Sequence, residues 1–117
     1  MCNTYDRELR DLAEATALDE KVPMQKGVYI GVTGPTLETA AEYRFMRIIG
    51  GDLVGMSTVP EVIVARHQGT RVLGFSFVTD MGLPDAMEPA DVNEIIRVAN
   101  ETAPKLRAVI LGVLAGM

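Results

Sequence analysis

Glu38, Ser57 and Asp80 are the side chains in this sequence best placed to hold a small polar ligand, because each falls where an α/β chain turns. Ser57 lies in the stretch DLVGMSTVPEVIVARHQ, residues 52–68. Leu53-Val54-Gly55-Met56 is a short apolar run suited to a buried strand. Ser57, Thr58, Pro60 and Glu61 follow, then an apolar-rich run from Val62 to Ala65. A hydroxyl to cap, a proline in the first turn and a glutamate three residues after Thr58 predict a helix start. A helix amino end offers unpaired N–H groups and a partial positive charge, which together favour an anion. Ligands of open α/β sheets sit at such strand carboxyl ends. The same pattern also describes an ordinary strand–helix turn that binds nothing.

Two carboxylates occupy comparable junctions. Glu38 falls in the first turn of an expected helix, where it could compensate the helix dipole, a role worth ~0.3–1 kcal/mol, or accept N–H bonds from a ligand. Asp80 ends an apolar stretch, where capping, turn-making and ligand binding are all open to it. His67 falls at the end of a helix, just before Gly69, and reads as support for the helix carboxyl end.

The elements that must carry these residues alternate. A helix is expected over Tyr5–Leu18, with Leu9, Leu12, Ala13 and Ala17 at helical spacing. A connector, Lys21–Gly27, leads to a strand over Val28–Val32, ended by Gly34-Pro35. Thr36 is the expected cap of a helix over Leu37–Ile49, its apolar stripe made by Ala41, Phe45, Ile48 and Ile49. The Leu53–Met56 strand and the helix after Thr58 come next. Thr70–Thr79 is the third expected strand, and Met81–Pro89 a loop. A last helix starts near Asp91, with Pro104 expected to kink or divide it. This order predicts an α/β layered sheet with helices on its faces. Three strands make a small sheet whose edges invite more chain.

Composition narrows the function classes. The chain has 117 residues, one domain at most, 48% of them hydrophobic, with a net charge of −5. That charge argues against nucleic acid, which needs a basic footprint. Cys2 is the sole cysteine and His67 the sole histidine, so neither an internal disulfide nor a Cys/His metal site is expected, and a reducing cytoplasmic setting is. The amino end carries no charged leader followed by an apolar stretch, and Ala108–Met117 is far shorter than the ~20 residues of a membrane helix. A nucleotide-binding regulator lacks a phosphate loop and an acidic ribose reader.

GPTLETAAEYR, then GGDLVGMSTVPEVIVARH, then GFSFVTD, together resemble the carboxyl-terminal half of trimeric-type purine nucleoside phosphorylases. The resemblance covers nearly the whole chain, from around Tyr5-Asp6-Arg7. It implies a layered αβα, phosphorylase/hydrolase-like fold, of which residues 1–117 are a carboxyl-terminal part. It also implies cleavage of a purine nucleoside by phosphate, as co-substrate, to free base and pentose 1-phosphate, without cofactor or metal, in a trimer. By resemblance Glu38 binds the base edge through its N1–H. Leu37, Val54, Gly55, Met56, Thr79 and Val92 line the base and sugar pocket, and Ser57 bonds phosphate. Asp80 takes the catalytic place at N7 and the 6-substituent, where many members carry asparagine.

The sequence departs from that pattern at several places. Leu37 replaces an aromatic of some members, and Val92 stands where some carry a histidine for the sugar 5′-hydroxyl. An acid at Asp80 is similar to methylthioadenosine phosphorylases, which take 6-amino purines. Those enzymes tend to carry a second acid where Gly82 stands, and Gly55-Met56-Ser57 fits the purine nucleoside group better. The family's glycine-rich phosphate loop, and an arginine and histidine that grip phosphate, belong to an amino-terminal half that precedes this stretch. Little or no phosphorolysis is therefore expected of the 117 residues alone. The alternatives are a non-catalytic, oligomerising module that binds purine and a methylthioadenosine phosphorylase-like enzyme.

Overall fold

The computed structural model describes residues 1–117. Helix α1, Arg7–Asp19, begins at Asp6, whose carboxylate accepts a bond from the Leu9 amide at 3.0 Å. Leu9, Ala13 and Ala17, four residues apart, are its buried side. That side meets the carboxyl-terminal part of α4, Val92–Ala115, around Ala13, Ala17, Val109 and Val113. Leu12, Val22, Leu73 and Phe75 pack against this core. Gly112 permits the close approach: a Cβ there would collide with the Thr16 methyl group.

The sheet holds two strands, not the expected three. β1, Tyr29–Gly31, and β2, Leu53–Gly55, run parallel with Ile30 opposite Val54 and Gly31 opposite Gly55. Helix α2, Ala40–Ile48, makes the crossover between them, as a parallel pair requires. Thr70–Thr79 keeps the alternation of a strand, with Phe75, Phe77 and Thr79 half-buried and Gly74, Ser76 and Val78 exposed. It has no strand partner, because β1 and β2 pair only with each other.

Three further expectations are corrected. α2 starts at Ala40, capped by Thr39 rather than Thr36. The reason is a reciprocal cap: the Glu42 carboxylate accepts from the Thr39 amide at 2.7 Å, while the Thr39 hydroxyl accepts from the Glu42 amide at 3.3 Å. Thr36 has no acid three residues on. Glu38 therefore precedes the helix instead of lying in its first turn. The stripe Ala41, Phe45, Ile48 and Ile49 is exposed, and Met46 is the residue α2 buries. Finally, α4 continues through Pro104 without division. Proline removes one N–H, which leaves the carbonyl of Asn100 free, and Asn100 lies on the exposed side where water can bond it.

Candidate functional site

β1 and β2 are parallel, so their carboxyl ends open at the same end of the sheet, and the predicted residues follow from there. β1 exits through Gly34, whose φ of +61° suits glycine. Its missing side chain leaves room for Met56 at the exit of β2: a Cβ on Gly34 would lie 3.1 Å from both Met56 Cγ and Cε. Met56 remains 42% exposed, so an apolar thioether surface lies open beside the strand exits. Val54 and Gly55 are half-buried within β2. Gly55 in turn gives space to the Tyr29 hydroxyl.

Ser57 and Thr58 join β2 to α3, Val59–His67. The expected cap does not form: Thr58 is the N-cap, but its side chain bonds no helix amide. Thr58 instead adopts φ 76°, ψ −57°, while the Val59 amide donates to the Ser57 carbonyl at 2.8 Å. This is a three-residue γ-turn, a rare and strained form for a β-branched residue. It changes the supply of amides at the helix end. Val59 is already engaged and Pro60 has no N–H. The amides of Ser57, Thr58 and Glu61 have no intramolecular partner. The exposed Ser57 hydroxyl lies 3.5 Å from that of Thr58. Two hydroxyls and three open amides are what this turn can offer an anion.

The carboxylates meet around a residue the sequence did not single out. Glu38 is only 9% exposed and lies near the phenol of Tyr43, on the first turns of α2. Burial first, then the neighbouring Glu38 carboxylate, then the negative charge of Asp80 raise the Tyr43 phenol above its ordinary value. Glu38 and Asp80 thus face the same phenol from two segments far apart in sequence. Gly82 lets the Asp80 loop close on the Tyr43 ring, since a Cβ there would overlap ring carbons. The Arg44–Asp85 ion pair ties the same loop to α2. Asp80 turns one carboxylate oxygen to the Met81 amide at 2.9 Å. Tyr43 had a faint sequence signal, a polar aromatic three residues before the buried Met46.

The other predicted residues stand apart or at the margin. Leu37 is exposed beside Glu38, and Thr79 is half-buried beside Asp80. Val92, at the start of α4, is 65% exposed, and nothing in the structure joins it to the strand exits. One surface hollow, lined by Asn3, Asp6, Arg7, Glu8 and Arg66, lies elsewhere, and another runs along α3 from Pro60 and Glu61 to Gln68. No group of His, Cys, Asp or Glu is arranged to hold a metal ion, and no helix is long and apolar enough to cross a membrane.

Residues 1–115 match the family model described as the phosphorylase superfamily. Purine nucleoside phosphorylase 1 of Bacillus subtilis (strain 168) is 44% identical over 115 residues, covering 98% of this chain and 42% of that protein. The Bos taurus purine nucleoside phosphorylase is 40% identical over 121 residues, covering 100% of this chain and 42% of that one. Among solved structures, Schistosoma mansoni purine nucleoside phosphorylase in complex with inosine superposes with a TM-score of 0.93 at 32% identity. The match covers 99% of this chain and 42% of that one. The chain therefore spans about two fifths of the length of the relatives it matches.

Proposed function

Because this chain belongs to the phosphorylase superfamily, we propose that it forms the carboxyl-terminal part of an enzyme that cleaves purine nucleosides with phosphate. In that reaction the bond between C1′ and N9 breaks and its electron pair leaves on the purine. A phosphate oxygen bonds C1′, giving free base and pentose 1-phosphate. The observation that carries this reading is the Glu38–Tyr43–Asp80 cluster, on a chain 44% identical to a purine nucleoside phosphorylase.

Glu38 accepts the N1–H of the base. Tyr43 stands beside Glu38, and the carboxylate keeps its lone pairs for the ligand. Asp80 takes the catalytic place at N7 and the 6-substituent, where negative charge grows as the base departs. Met56, Val54, Gly55, Leu37 and Thr79 border base and sugar, and Val92, which stands apart in the structure, does not enter this reading. Ser57, with the free amides of its turn, bonds phosphate, whose other contacts come from the rest of the enzyme. Holding phosphate against C1′ lowers the entropic cost of the encounter. The assembled protein is a cytoplasmic trimer acting in purine salvage. Light scattering checks the assembly, and a monomer counts against it.

An acid at Asp80 favours a second reading of the substrate, a 6-amino purine whose amino group donates to the ionised carboxylate. The test is a chimera in which this chain replaces the matched stretch of the Bacillus subtilis relative. Inosine and adenosine are each supplied with and without phosphate. Phosphate-dependent release of hypoxanthine or adenine is expected; base release from neither nucleoside sinks the proposal.

A further inference from the structure

The segment Leu73–Thr79 has the alternating burial of a β-strand, yet no backbone hydrogen bond involves any of its residues. Its inner side is anchored, with Leu73 and Phe75 against the α1/α4 core. Its start is pinned as well: the Asp6 amide donates to the Val72 carbonyl at 2.8 Å, and Arg71 bonds Asp6. What is left open is a row of amides and carbonyls, held in place and unpaired. Such a row is a template for another strand.

The exposed area sets the size of a partner that could cover it. The chain exposes 8720 Å², whereas a compact monomer of its mass exposes about 6,200 Å². The excess, about 2,500 Å², is roughly three times what one partner buries in a standard-size interface. The radius of gyration, 15.5 Å, exceeds the roughly 13 Å of a compact chain of this length. α2 adds a bare apolar stripe, with Phe45 60%, Ile49 56% and Ile48 83% exposed. The matched relatives supply a polypeptide of fitting size, since more than half of each lies outside the match.

We propose that Leu73–Thr79 is a docking edge for a strand of the amino-terminal portion of a phosphorylase chain, and that this docking forms even when the portion is a separate polypeptide. The proposal rests on the family reading but not on turnover. Its test is to co-express the tagged 117-residue chain with the untagged amino-terminal portion of the Bacillus subtilis relative, the part ahead of the matched stretch. The purified material is weighed by native mass spectrometry and followed by hydrogen exchange.

An equimolar complex is expected, with amides of Leu73–Thr79 exchanging at least tenfold more slowly than in the chain alone. Ser76→Pro, an exposed position, should cut co-purification at least tenfold, while Ser76→Thr should keep it. Circular dichroism checks that the proline variant retains its helices, and the exchange measurement on the unaltered chain stands whether it does or not. Failure to co-purify overturns the proposal, as does protection of these amides by self-association without the partner. A complex without turnover leaves the docking standing and counts against the catalytic reading. An active covalent chimera whose two parts do not associate when separate does the reverse.

Discussion

Arg71 holds Asp6 through two parallel hydrogen bonds, Nε to Oδ2 at 2.7 Å and Nη2 to Oδ1 at 2.8 Å. Asp6 at the same time caps α1, so one carboxylate fixes both the helix start and the segment that runs on to Asp80. The Arg71 bond first, then the Leu9 amide, hold its carboxyl well below the usual carboxylate range. Glu42 is lowered too, by the Thr39 amide and then its hydroxyl. Groups lowered by folding stabilise the chain above their unfolded values, about pH 4. That contribution is lost as pH falls through the folded values. Urea midpoints measured from pH 6 down to pH 2 should fall in this window. Asp6→Asn should lower the midpoint at pH 6 and flatten the slope; an unchanged slope would remove Asp6 from the account.

Thr58 sits where glycine is at ease and a β-branched residue is not. Such strain costs on the order of 1–3 kcal/mol, and glycine's extra chain entropy offsets part of the relief. Thr58→Gly should therefore stabilise the chain by about 1 kcal/mol in urea denaturation, while loosening the turn that aims Ser57. In the chimera it should raise KM for phosphate. A destabilised variant would mean that the Thr58 side chain contributes more than the strain costs.

Tyr43 should ionise above the ordinary phenol range. Its phenol is raised in the folded state by burial and by the neighbouring Glu38 carboxylate, so the stability of its neutral form persists below the unfolded value near 10. That stability is lost as pH rises through the folded value. Phenolate absorbance followed with pH should show one late component, absent in Tyr43→Phe. If the variant loses no late component, Tyr43 is not held buried beside Glu38 in solution.

Asp80→Asn should move the chimera toward 6-oxo purines. An ionised carboxylate accepts from a 6-amino group and repels a 6-carbonyl, whereas an amide donates to the carbonyl and to N7. One charge-assisted bond contributes ~1.5–3 kcal/mol, so the ratio of kcat/KM for inosine over adenosine should rise roughly 10- to 100-fold. A ratio that stays level would place Asp80 away from the 6-substituent.

The junctions were legible in the sequence because their signals are local. Gly34-Pro35, the apolar run into Ser57 and the alternation through Thr79 all report the chain's own direction, and the structure keeps them. The start of α2 was readable as well, but Thr36 and Thr39 compete as caps, and only the acid at Glu42 decides between them. What could not be read was partnership. The stripe Phe45, Ile48 and Ile49 is patterned for burial and stays bare, and Thr70–Thr79 is patterned for a sheet that this stretch does not complete. Tyr43 escaped notice because its role depends on Glu38 and Asp80 meeting in space. The γ-turn at Thr58 escaped because the residue types there spell an ordinary helix cap.

The central claim is that Glu38 and Ser57 serve one site, base on one side and phosphate on the other. Steady-state kinetics of the chimera with Glu38→Gln and with Ser57→Ala test it most directly. Ser57→Ala should raise KM for phosphate about tenfold, the loss of one hydrogen bond to a charged group, and leave KM for inosine within twofold. Glu38→Gln should lower kcat/KM for inosine by a factor of at least about 100 and leave KM for phosphate nearly unchanged. If both variants keep the parent's constants for both substrates, the two residues do not form the purine and phosphate site.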